Sequence, residues 1–348
     1  MSSAPDNTDT PIEAPPEWLF ELIGFPNLGE GEKAKQAGTP IAVRDGIVRV
    51  GRAFTDEQTQ TRDAFDFKWH QRATYDSPHF RAKMKAWLIG KYGDPADEPW
   101  LNAVRDRKPV VLDAGCGAAF SALEYFGPYG DRINYVGVDI SEAVDVARMR
   151  FAEEGIPGAF MQCDLMQMPF PDGSVDAIFS EGVLHHTPST RDAIIAVARK
   201  LRSGGTFMFY VYKRKGPIRE FTDDYIRDRI ADMNPEEAWA AIMPLTKLGH
   251  LLGELDIEID VPEAIDVLDI PAGKINLQRL FYWHIFKAYH DPDFSMDEMN
   301  HINFDWYSPA YAFRQSPDEV RAWCAEAGLN IRKIHVEEAG ITVVADKV

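Results

Sequence analysis

The sequence is poor in cysteine and in positive charge, and each deficit excludes a class of protein. Its 348 residues contain three cysteines, Cys116, Cys163 and Cys324, which do not pair at the spacing of a metal site. We therefore expect neither a disulfide framework nor a zinc site, and a reducing, cytoplasmic setting fits. Lys and Arg number 37 against 55 Asp and Glu, so the net charge is −18. Because nucleic acids are bound through Lys- and Arg-rich surfaces, a nucleic-acid substrate is not expected.

Long apolar runs are also lacking. No run approaches the length of a membrane-spanning helix, and the N-terminus has no basic segment followed by an apolar one. We therefore expect no membrane anchor and no signal peptide. Residues 1–16 are rich in Ser, Pro, Asp and Thr and have almost no large apolar side chains. Such a segment cannot bury enough surface to offset its ordering entropy, which predicts a disordered tail.

The chain is organised around residues 109–121, PVVLDAGCGAAFS. An apolar run that ends in Asp113 and a small-residue turn predicts a strand buried on both faces, a tight turn and the start of a helix. Gly115 and Gly117 permit positive φ and let a ligand approach the backbone closely. The turn lacks the Gly-Lys-Ser/Thr ending of a phosphate loop and the third glycine of a dinucleotide fingerprint. It still suits a nucleotide-like ligand at the edge of an open α/β sheet.

Three further strands are predicted after this turn, each followed by a polar residue. They cover residues 133–139, 160–163 and 175–180. Asp139 could accept hydrogen bonds from both hydroxyls of a ribose, and Asp164 could accept one from an adenine amino group. Since ligands bind at the carboxyl edge of such sheets, these acids predict a nucleoside site.

The order of these motifs resembles the class I S-adenosylmethionine (SAM)-dependent methyltransferases. D-x-G-x-G, G-x-D-x-S, C-D-L with MPFPDGSVDAIF, and L-H-H follow one another between residues 108 and 212. They are most similar to the ubiquinone/menaquinone-biosynthesis-like, type 11 branch, which acts on small molecules. The resemblance implies an α/β fold with a Rossmann-like, seven-stranded sheet, and SAM as cofactor.

The same resemblance assigns residues to each part of the cofactor. Those implied are Asp113, Gly115, Cys116 and Gly117 around the methionine moiety, Asp139 and Ile140 at the ribose with Ser141 beside them, Asp164 and Leu165 at the adenine, and Ser180, Glu181 and Gly182 near the sulfonium.

Residues 17–100 are predicted to form an N-terminal extension with lid helices. Residues 41–50 indicate a hairpin that turns at Asp45 and Gly46. This part resembles the Trm112-like zinc ribbon that precedes some methyltransferases, in a degenerate form because the ribbon's cysteines are missing. Some members of the family cover the cofactor with an aromatic segment before the first motif. That likeness makes Phe67 and Trp69 candidate cofactor contacts and Tyr75 a candidate substrate contact. The alternative is a helical pair that only packs on the sheet.

The SAM-binding core is expected over residues 101–212, and residues 316–348 should supply a serine-capped helix and the last two strands. Residues 213–315 lie between them, where the family needs only a short connection. A structureless loop of about one hundred residues is improbable, so we predict a helical insertion that forms a lid and substrate domain. Helices are indicated near residues 237–252 and 277–290. Residues 301–311 show no helical period and are predicted to be a loop.

Methyl transfer from a sulfonium is an in-line displacement, so the protein must mainly position the acceptor and, for some acceptors, remove a proton. His185 and His186 are candidate general bases, with a purely structural role in their loop as the alternative. The other candidates are Tyr212 and Tyr307 for catalysis, and Arg219 and His301 for substrate binding. No metal site is predicted, since the histidines do not fall at ligand spacing.

The predicted function is SAM-dependent methylation of a small molecule by a cytoplasmic enzyme, with a homodimer as one option. Two alternatives stay open. An enzyme of the same fold could cyclise or fragment SAM itself and release methylthioadenosine, or the chain could be a non-catalytic scaffold that binds a partner. Oxygen, nitrogen, carbon and sulfur acceptors are all served by such folds, so the fold does not fix the acceptor.

Overall fold

The central element of the computed structural model is a ten-stranded mixed sheet. The structure describes residues 14–25, 27–36, 39–51, 53–103 and 105–348, so most of the predicted N-terminal tail lies outside the described residues. The strands of this sheet are β1 (Lys33–Gln36), β2 (Thr39–Arg44), β3 (Ile47–Val50), β4 (Val110–Ala114), β5 (Asn134–Asp139), β6 (Ala159–Gln162), β7 (Val175–Glu181), β8 (Leu201–Tyr212), β11 (Leu329–Val336) and β12 (Gly340–Lys347), while β9 (Glu258–Val261) and β10 (Gly273–Asn276) form a separate hairpin.

Seven of these strands form the predicted methyltransferase-like core. Their spatial order is β6-β5-β4-β7-β8-β12-β11. The strands β6, β5, β4, β7 and β8 are parallel to one another, and β12 is antiparallel to both of its neighbours. Because β4 lies between β5 and β7, the chain leaves it in opposite directions on its two sides. Such a switch point opens a crevice at the carboxyl ends of the strands, which is where the candidate motifs lie.

The N-terminal extension adds three strands to the edge of the core. β1, β2 and β3 form an antiparallel meander, and β3 pairs in parallel with β6 through Val48 and Met161. The predicted hairpin is therefore confirmed, with Asp45 and Gly46 both at positive φ in its turn. These strands extend the main sheet from seven to ten, and the resemblance to a zinc ribbon is not confirmed.

Twelve α-helices are found among the described residues, and none of them is both long and apolar enough to cross a bilayer. Their bounds are α1 (Glu17–Ile23), α2 (Asp56–His70), α3 (Pro78–Tyr92), α4 (Pro99–Asn102), α5 (Phe120–Phe126), α6 (Ala143–Glu153), α7 (Thr190–Lys200), α8 (Pro217–Ile230), α9 (Pro235–Glu254), α10 (Leu277–His284), α11 (Met296–Tyr307) and α12 (Pro317–Glu326).

Both faces of the sheet are covered. Val110, Leu112 and Ala114 of β4 belong to one apolar cluster, which includes residues of α1, α7 and α12. Val111 of the same strand belongs to a second cluster with residues of α3, α5 and α6. Because successive side chains of a strand point to opposite faces, a strand buried on both sides reads as the unbroken apolar run seen in the sequence.

The insertion after β8 is largely helical, as predicted, but two of its local predictions are wrong. The segment around residues 301–311 is not a loop, because α11 covers most of it after a capping box formed by Ser295 and Glu298. The predicted helix over residues 277–290 ends at His284. The insertion also contains the β9–β10 hairpin, which the sequence did not indicate.

Asp176 connects the beginnings of β4, β7 and β8, at the edge of the sheet opposite the candidate motifs. Its carboxylate accepts hydrogen bonds from the backbone N–H of Val110 at 2.8 Å and from the guanidinium groups of Arg107 at 2.7 Å and Arg202 at 2.6 Å, and it also pairs with Arg105. Burial opposes its ionisation, yet these donors hold its pKa below the ordinary value of 3.8. A fully buried carboxylate with four donors is expected to contribute strongly to stability.

We expect Asp176→Asn to lower the free energy of unfolding by about 3 kcal/mol, because it removes the buried counter-charge that three arginines share. Since the folded-state pKa is depressed, this contribution is present above roughly pH 4 and is lost as the pH falls further. Urea unfolding at pH 7 and pH 3 measures both effects. Asp172→Asn, in the exposed pair with Lys200, is the matched control and should change stability by less than ~1 kcal/mol. Equal effects of the two substitutions would contradict the prediction.

Candidate cofactor and acceptor site

The glycine turn after β4 has the geometry that its residues predict. Gly115 has φ of 89° and Gly117 has φ of 50°, both in the region that favours glycine. A Cβ on Gly115 would overlap the side chain of Val183, and one on Gly117 would overlap the indole of Trp69. The turn is therefore closely covered by the loop after β7 and by α2.

The acid after β5 braces this turn. Asp139 accepts hydrogen bonds from the backbone N–H of Gly117 at 2.9 Å and from the N–H and hydroxyl of Ser141 at 2.9 and 2.7 Å. Burial raises the pKa of Asp139 in spite of these donors. A carboxylate offers about four lone-pair sites, so Asp139 retains acceptor capacity for ribose hydroxyls. This is consistent with the role that the sequence predicts.

The acid after β6 faces the same space. Asp164 accepts a hydrogen bond from the backbone N–H of Met166 at 2.8 Å and one from the amide of Gln58 at 3.4 Å. Gln58 belongs to α2, so this contact links the N-terminal extension to the predicted adenine end of the site.

A cavity of about 230 Å³ lies between these elements and is called the first cavity below. It runs along the carboxyl ends of β4 to β8 and is covered by α2. The predicted site residues that line it are Gly115, Asp139, Ile140, Asp164, Leu165, Glu181, Gly182, Trp69, His186 and Tyr212. The glycine turn at Gly115 and the acids at both predicted nucleoside positions line one cavity, which fits a SAM molecule.

Three predicted cofactor residues support the turn without lining the cavity. Asp113 is buried and accepts a hydrogen bond from the hydroxyl of Tyr135 at 2.7 Å, and burial raises its pKa to about 7. The Ser180 hydroxyl donates to the carbonyl of Ala114 at 2.7 Å. Ser141 is fully buried and bonds to Asp139.

The other predicted cofactor residues that do not line the cavity are Cys116, Gly117 and Phe67. Cys116 is buried, and burial raises the pKa of its thiol. Gly117 lies beneath Trp69. Phe67 packs against Trp239 and Phe304 of the insertion, on a different face of α2 from Trp69. Of the two candidate lid residues Phe67 and Trp69, only Trp69 lines the first cavity.

Glu181, at the end of β7, is held by two buried groups of α3. One carboxylate oxygen accepts from the ammonium of Lys91 at 2.7 Å and the other from the hydroxyl of Tyr92. Burial lowers the pKa of Lys91 to about 8. The Lys91 ammonium lies 3.5 Å from the ring centroids of both Trp87 and Tyr210, so this charge orders two aromatic walls.

The two candidate histidines have different surroundings. His186 lines the first cavity, and its Nδ1 lies 2.5 Å from the carbonyl oxygen of Tyr311. A carbonyl can only accept, so Nδ1 carries the proton and Nε2 has the free lone pair. Burial lowers the pKa of His186 to about 4. His185 is fully buried, stacks on Tyr212 with 3.7 Å between ring centroids, and lines neither cavity, so its geometry supports the structural alternative.

A larger cavity of about 530 Å³, the second cavity, adjoins the first. Its outer walls come from α8, α10 and α11 of the insertion and from α3. The residues that line both cavities are Lys68, Trp69, Met84, Trp87, Ser121, Tyr210, Tyr212 and Asp305. These residues form a common wall between the two spaces.

Lys68, Asp305 and Tyr212 form a polar group in this common wall. Lys68 and Asp305 make an ion pair, and the Tyr212 hydroxyl donates to the second oxygen of Asp305 at 3.0 Å. Burial opposes ionisation of Asp305, but the Lys68 ammonium holds its pKa well below the usual range. Asp305 is therefore a permanent anion between the two cavities.

Of the residues predicted to contact the acceptor or to act in catalysis, some line the second cavity and others line neither cavity. Arg219 and His301 line the second cavity. Tyr307 lines neither cavity: it is fully buried, and its hydroxyl bonds to Asp223 at 2.9 Å and to the backbone of Lys287. Tyr75 is also fully buried and donates to the carbonyl of Trp69 at 2.6 Å. The last two side chains are positioned for packing and not for ligand contact.

One face of α2 contributes several residues that the sequence reasoning did not select. Gln58, Thr61, Phe65 and Lys68 line the first cavity next to Trp69. Their spacing of three, four and three residues places them on one side of a helix, so a helical projection of residues 56–70 would have grouped them. Asp305 and Trp87 were also missed as site residues, since only tertiary structure brings them to this wall.

Sequence spacing also concealed a group of metal-binding residue types. His250 and Glu254 of α9 and His290 have potential ligand atoms within 4.8 Å of one another. These three residues line neither cavity.

We expect Gly115→Ala to weaken binding of S-adenosylhomocysteine at least tenfold, because the new Cβ would displace Val183 into the first cavity. Gly93→Ala is a matched control: Gly93 also has φ of 89°, but nothing lies within 4 Å of its added Cβ. Both variants therefore carry the strain of positive φ, and only one carries the overlap. Isothermal titration calorimetry measures the affinities, and similar losses in both variants would show that the overlap is not the cause.

Comparison with known proteins places this geometry among methyltransferases. The chain is 33% identical over 167 residues to probable tRNA methyltransferase 9B of Mus musculus, covering 44% of this chain and 32% of that protein. It is 31% identical over 199 residues to tRNA U34 carboxymethyltransferase of Hydrogenovibrio crunogenus, covering 53% of each. It is 36% identical over 103 residues to sterol 24-C-methyltransferase ERG6B of Gibberella zeae, covering 29% of this chain and 27% of that protein.

The chain thus spans about a third to a half of the length of the tRNA-methyltransferase relatives that it matches. Among solved structures, magnesium protoporphyrin IX methyltransferase from Synechocystis with bound SAM is 14% identical, with 86% of this chain and all of that chain covered and a TM-score of 0.44.

A family model gives the direct assignment. Residues 112–209 match the family described as methyltransferase domain, a range that runs from β4 into β8 and includes the ends of β4 to β7 that line the first cavity. The match begins at the strand before the glycine turn and ends inside β8. Residues 112–209 therefore match the methyltransferase domain family, and SAM, the methyl donor that the sequence motifs imply, is the cofactor expected at the first cavity.

Proposed function

We propose that this protein is a SAM-dependent methyltransferase that acts on a small-molecule acceptor. The observation that carries the proposal is the pair of adjoining cavities with a common wall. The first lies at the turns that follow β4, β5, β6 and β7 of the domain, and the second is bounded by helices of the insertion. Two separate binding spaces that meet at one wall are what a two-substrate transfer requires.

The residues of the first cavity have assignable roles. Asp139 and Asp164 offer acceptors for a ribose and an adenine, and Gly115 lets Val183 pack closely over the turn beside the cavity. SAM, when bound, supplies an electrophilic methyl group on a sulfonium. Trp69 and other residues of α2 line one side of the cavity.

Proton removal, where the acceptor needs it, would fall to His186. Its Nε2 is unprotonated at neutral pH, and the ring is oriented by the bond from Nδ1 to the carbonyl of Tyr311. A pKa of about 4 makes it a weak base. Such a base suits an acceptor that is already acidic or one that is nucleophilic without deprotonation.

A small acceptor is favoured over a nucleic acid by charge and by the size of the second cavity. The chain carries a net charge of −18, and the second cavity has a volume of about 530 Å³. A polyanion would meet electrostatic repulsion at this surface. Two of the relatives are named for tRNA and one for a sterol, so a tRNA acceptor is kept as an outcome of the test.

Two alternatives to this function are considered. An enclosed first cavity could also serve cleavage or cyclisation of SAM itself, without an acceptor. A scaffold function would not require Asp139 and Asp164, and both line the first cavity. A cytoplasmic location is part of the proposal, and a homodimer is kept as one option.

We expect release of S-adenosylhomocysteine only when small molecules are supplied. The protein is incubated with SAM alone, with SAM and a cell extract filtered below about 1 kDa, and with SAM and bulk tRNA, and the nucleoside products are identified by mass spectrometry. Methylthioadenosine in the first reaction would replace the proposal with self-consumption of SAM. S-adenosylhomocysteine in the tRNA reaction would replace the acceptor class.

The variants of the glycine turn supply the control for this experiment. Gly115→Ala should release no product above background, whereas Gly93→Ala should retain most of the activity, because only Gly115 contacts the first cavity. Product formation that survives in Gly115→Ala would locate the activity elsewhere.

A further inference from the structure

The second cavity has an unusual charge for so acidic a protein. Its lining includes six basic side chains, whereas Asp305 is the one carboxylate among the described residues that line it. The basic residues are Lys68, Lys83, Lys215, Arg219, Arg279 and Lys287. The chain as a whole has 18 more acids than bases, so this local excess is opposite in sign to the rest of the molecule.

Three of these six cations are neutralised within the protein. Lys68 pairs with Asp305, Lys83 pairs with Asp291, and Arg219 pairs with Asp223 at 2.7 Å. Arg219 also donates to the carbonyl of Tyr282, so its guanidinium is engaged on two sides. These existing bonds weaken the expectation from the sequence that Arg219 binds a substrate.

The other three cations, Lys215, Arg279 and Lys287, form no ion pair within 4.0 Å in the part of the chain that the structure describes. The Lys215 ammonium donates to the backbone carbonyls of Glu338 and Ala339. Arg279 makes one long hydrogen bond of 3.4 Å to the carbonyl of His290. Carbonyl oxygens supply partial charge but do not neutralise a cation.

Lys287 is the most buried of the three, and the Asp305 and Asp223 carboxylates act on its charge only from beyond ion-pair distance. The residue is 7% exposed, and its ammonium makes no hydrogen bond with any described residue. Its backbone is fixed by the Tyr307 hydroxyl, which bonds to both its N–H and its carbonyl. Burial lowers the pKa of Lys287 to about 7. A buried ammonium without a partner is costly, so it is normally found where something else supplies the negative charge.

The cations gather around one ring. Lys287, Arg219 and Lys215 lie 4.9, 5.2 and 5.5 Å from the centroid of Trp306. The indole N–H of Trp306 donates to Asp223 at 2.8 Å, which orients the ring. Three positive charges with one carboxylate between them leave a local excess beside a flat aromatic surface.

We propose that the acceptor is an anionic molecule with a flat or apolar body, and that Lys287 binds its carboxylate, phosphate or sulfate group. Lys215 lies on the same ring and adds to the positive field, while Trp306 and Tyr282 offer packing surface for the body. This inference rests on the proposed function, because it takes the second cavity to be the acceptor site.

The test compares two fluorescent probes with the same aromatic body. 1-Anilinonaphthalene-8-sulfonate carries an anion, and N-phenyl-1-naphthylamine does not. We expect Lys287→Met to raise the dissociation constant of the sulfonate probe at least tenfold and to leave that of the neutral probe within twofold. Lys287→Arg should restore most of the affinity, since it keeps the charge. Lys274→Met, at an exposed lysine paired with Glu258, is the control and should have no effect.

Two results would overturn the inference. Sulfonate binding that does not change in Lys287→Met would remove the anion role, and an equal loss of both probes would indicate a packing defect. Failure of Lys287→Arg to bind the sulfonate would favour a neutral lysine acting as a base, because arginine cannot be deprotonated. Lys215→Met offers a second variant in case Lys287→Met does not fold, with an expected loss of threefold or more for the sulfonate probe alone.

The outcome is separable from that of the proposed function. Binding of S-adenosylhomocysteine is measured by calorimetry on the same variants and should be unchanged in Lys287→Met, because Lys287 does not line the first cavity. Lys287-dependent sulfonate binding without cofactor binding would leave the anion site standing and remove the methyltransferase proposal. Cofactor binding without Lys287-dependent sulfonate binding would do the reverse.

We also expect Lys287→Met to raise the melting temperature of the ligand-free protein by a few degrees. The substitution removes a buried charge without a partner and keeps the apolar length of the side chain. Differential scanning calorimetry measures the shift. A lower melting temperature would show that Lys287 stabilises the fold and has a partner within it.

Discussion

The ion pair between Lys68 and Asp305 is the interaction on which the rest of the site depends. Lys68 belongs to α2 of the N-terminal extension, and Asp305 belongs to α11 of the insertion. Tyr212, which also bonds to Asp305, is the last residue of β8. Three separate parts of the chain therefore meet at one carboxylate, and that point is the wall common to both cavities. Further hydrogen bonds join the extension to the insertion, from Gln60 to the carbonyl of Ser308 at 2.7 Å and between Thr74 and His301 at 2.7 Å.

The common wall also explains why the chain has two additions to the methyltransferase domain. The domain alone ends within β8 and supplies the floor of the first cavity. Coverage comes from α2 on one side and from α11 on the other, and the larger space lies between α3 of the extension and α8, α10 and α11 of the insertion. An apolar cluster with Ala64, Phe67, Phe304 and Trp306 joins the two additions. The insertion is thus packed against the extension as well as against the sheet.

The parts of the fold that were predictable are those set by local pattern. The β4 strand reads as an unbroken apolar run because both of its faces are buried, and Gly115 and Gly117 indicate the turn because no other residue fits there. Helix α11 was missed for the opposite reason. Its polar residues Asn300 and Asn303 are fully buried and bonded to Thr246, so the apolar period that identifies a helix is interrupted. Its capping box at Ser295 was the available signal.

The type of a residue predicted the acceptor site less well than the presence or absence of an ion-pair partner in the fold. Arg219 has the chemistry to bind a carboxylate, but the fold gives it Asp223, and no local pattern reveals that Lys287 is left without an acid. Which cation is neutralised depends on contacts between α8, α10 and α11, which are distant in sequence. A buried, unpaired ammonium lowers stability, and a protein with 55 acidic residues does not lack carboxylates to neutralise it. Its persistence beside Trp306 is therefore best explained by a ligand that brings the missing charge.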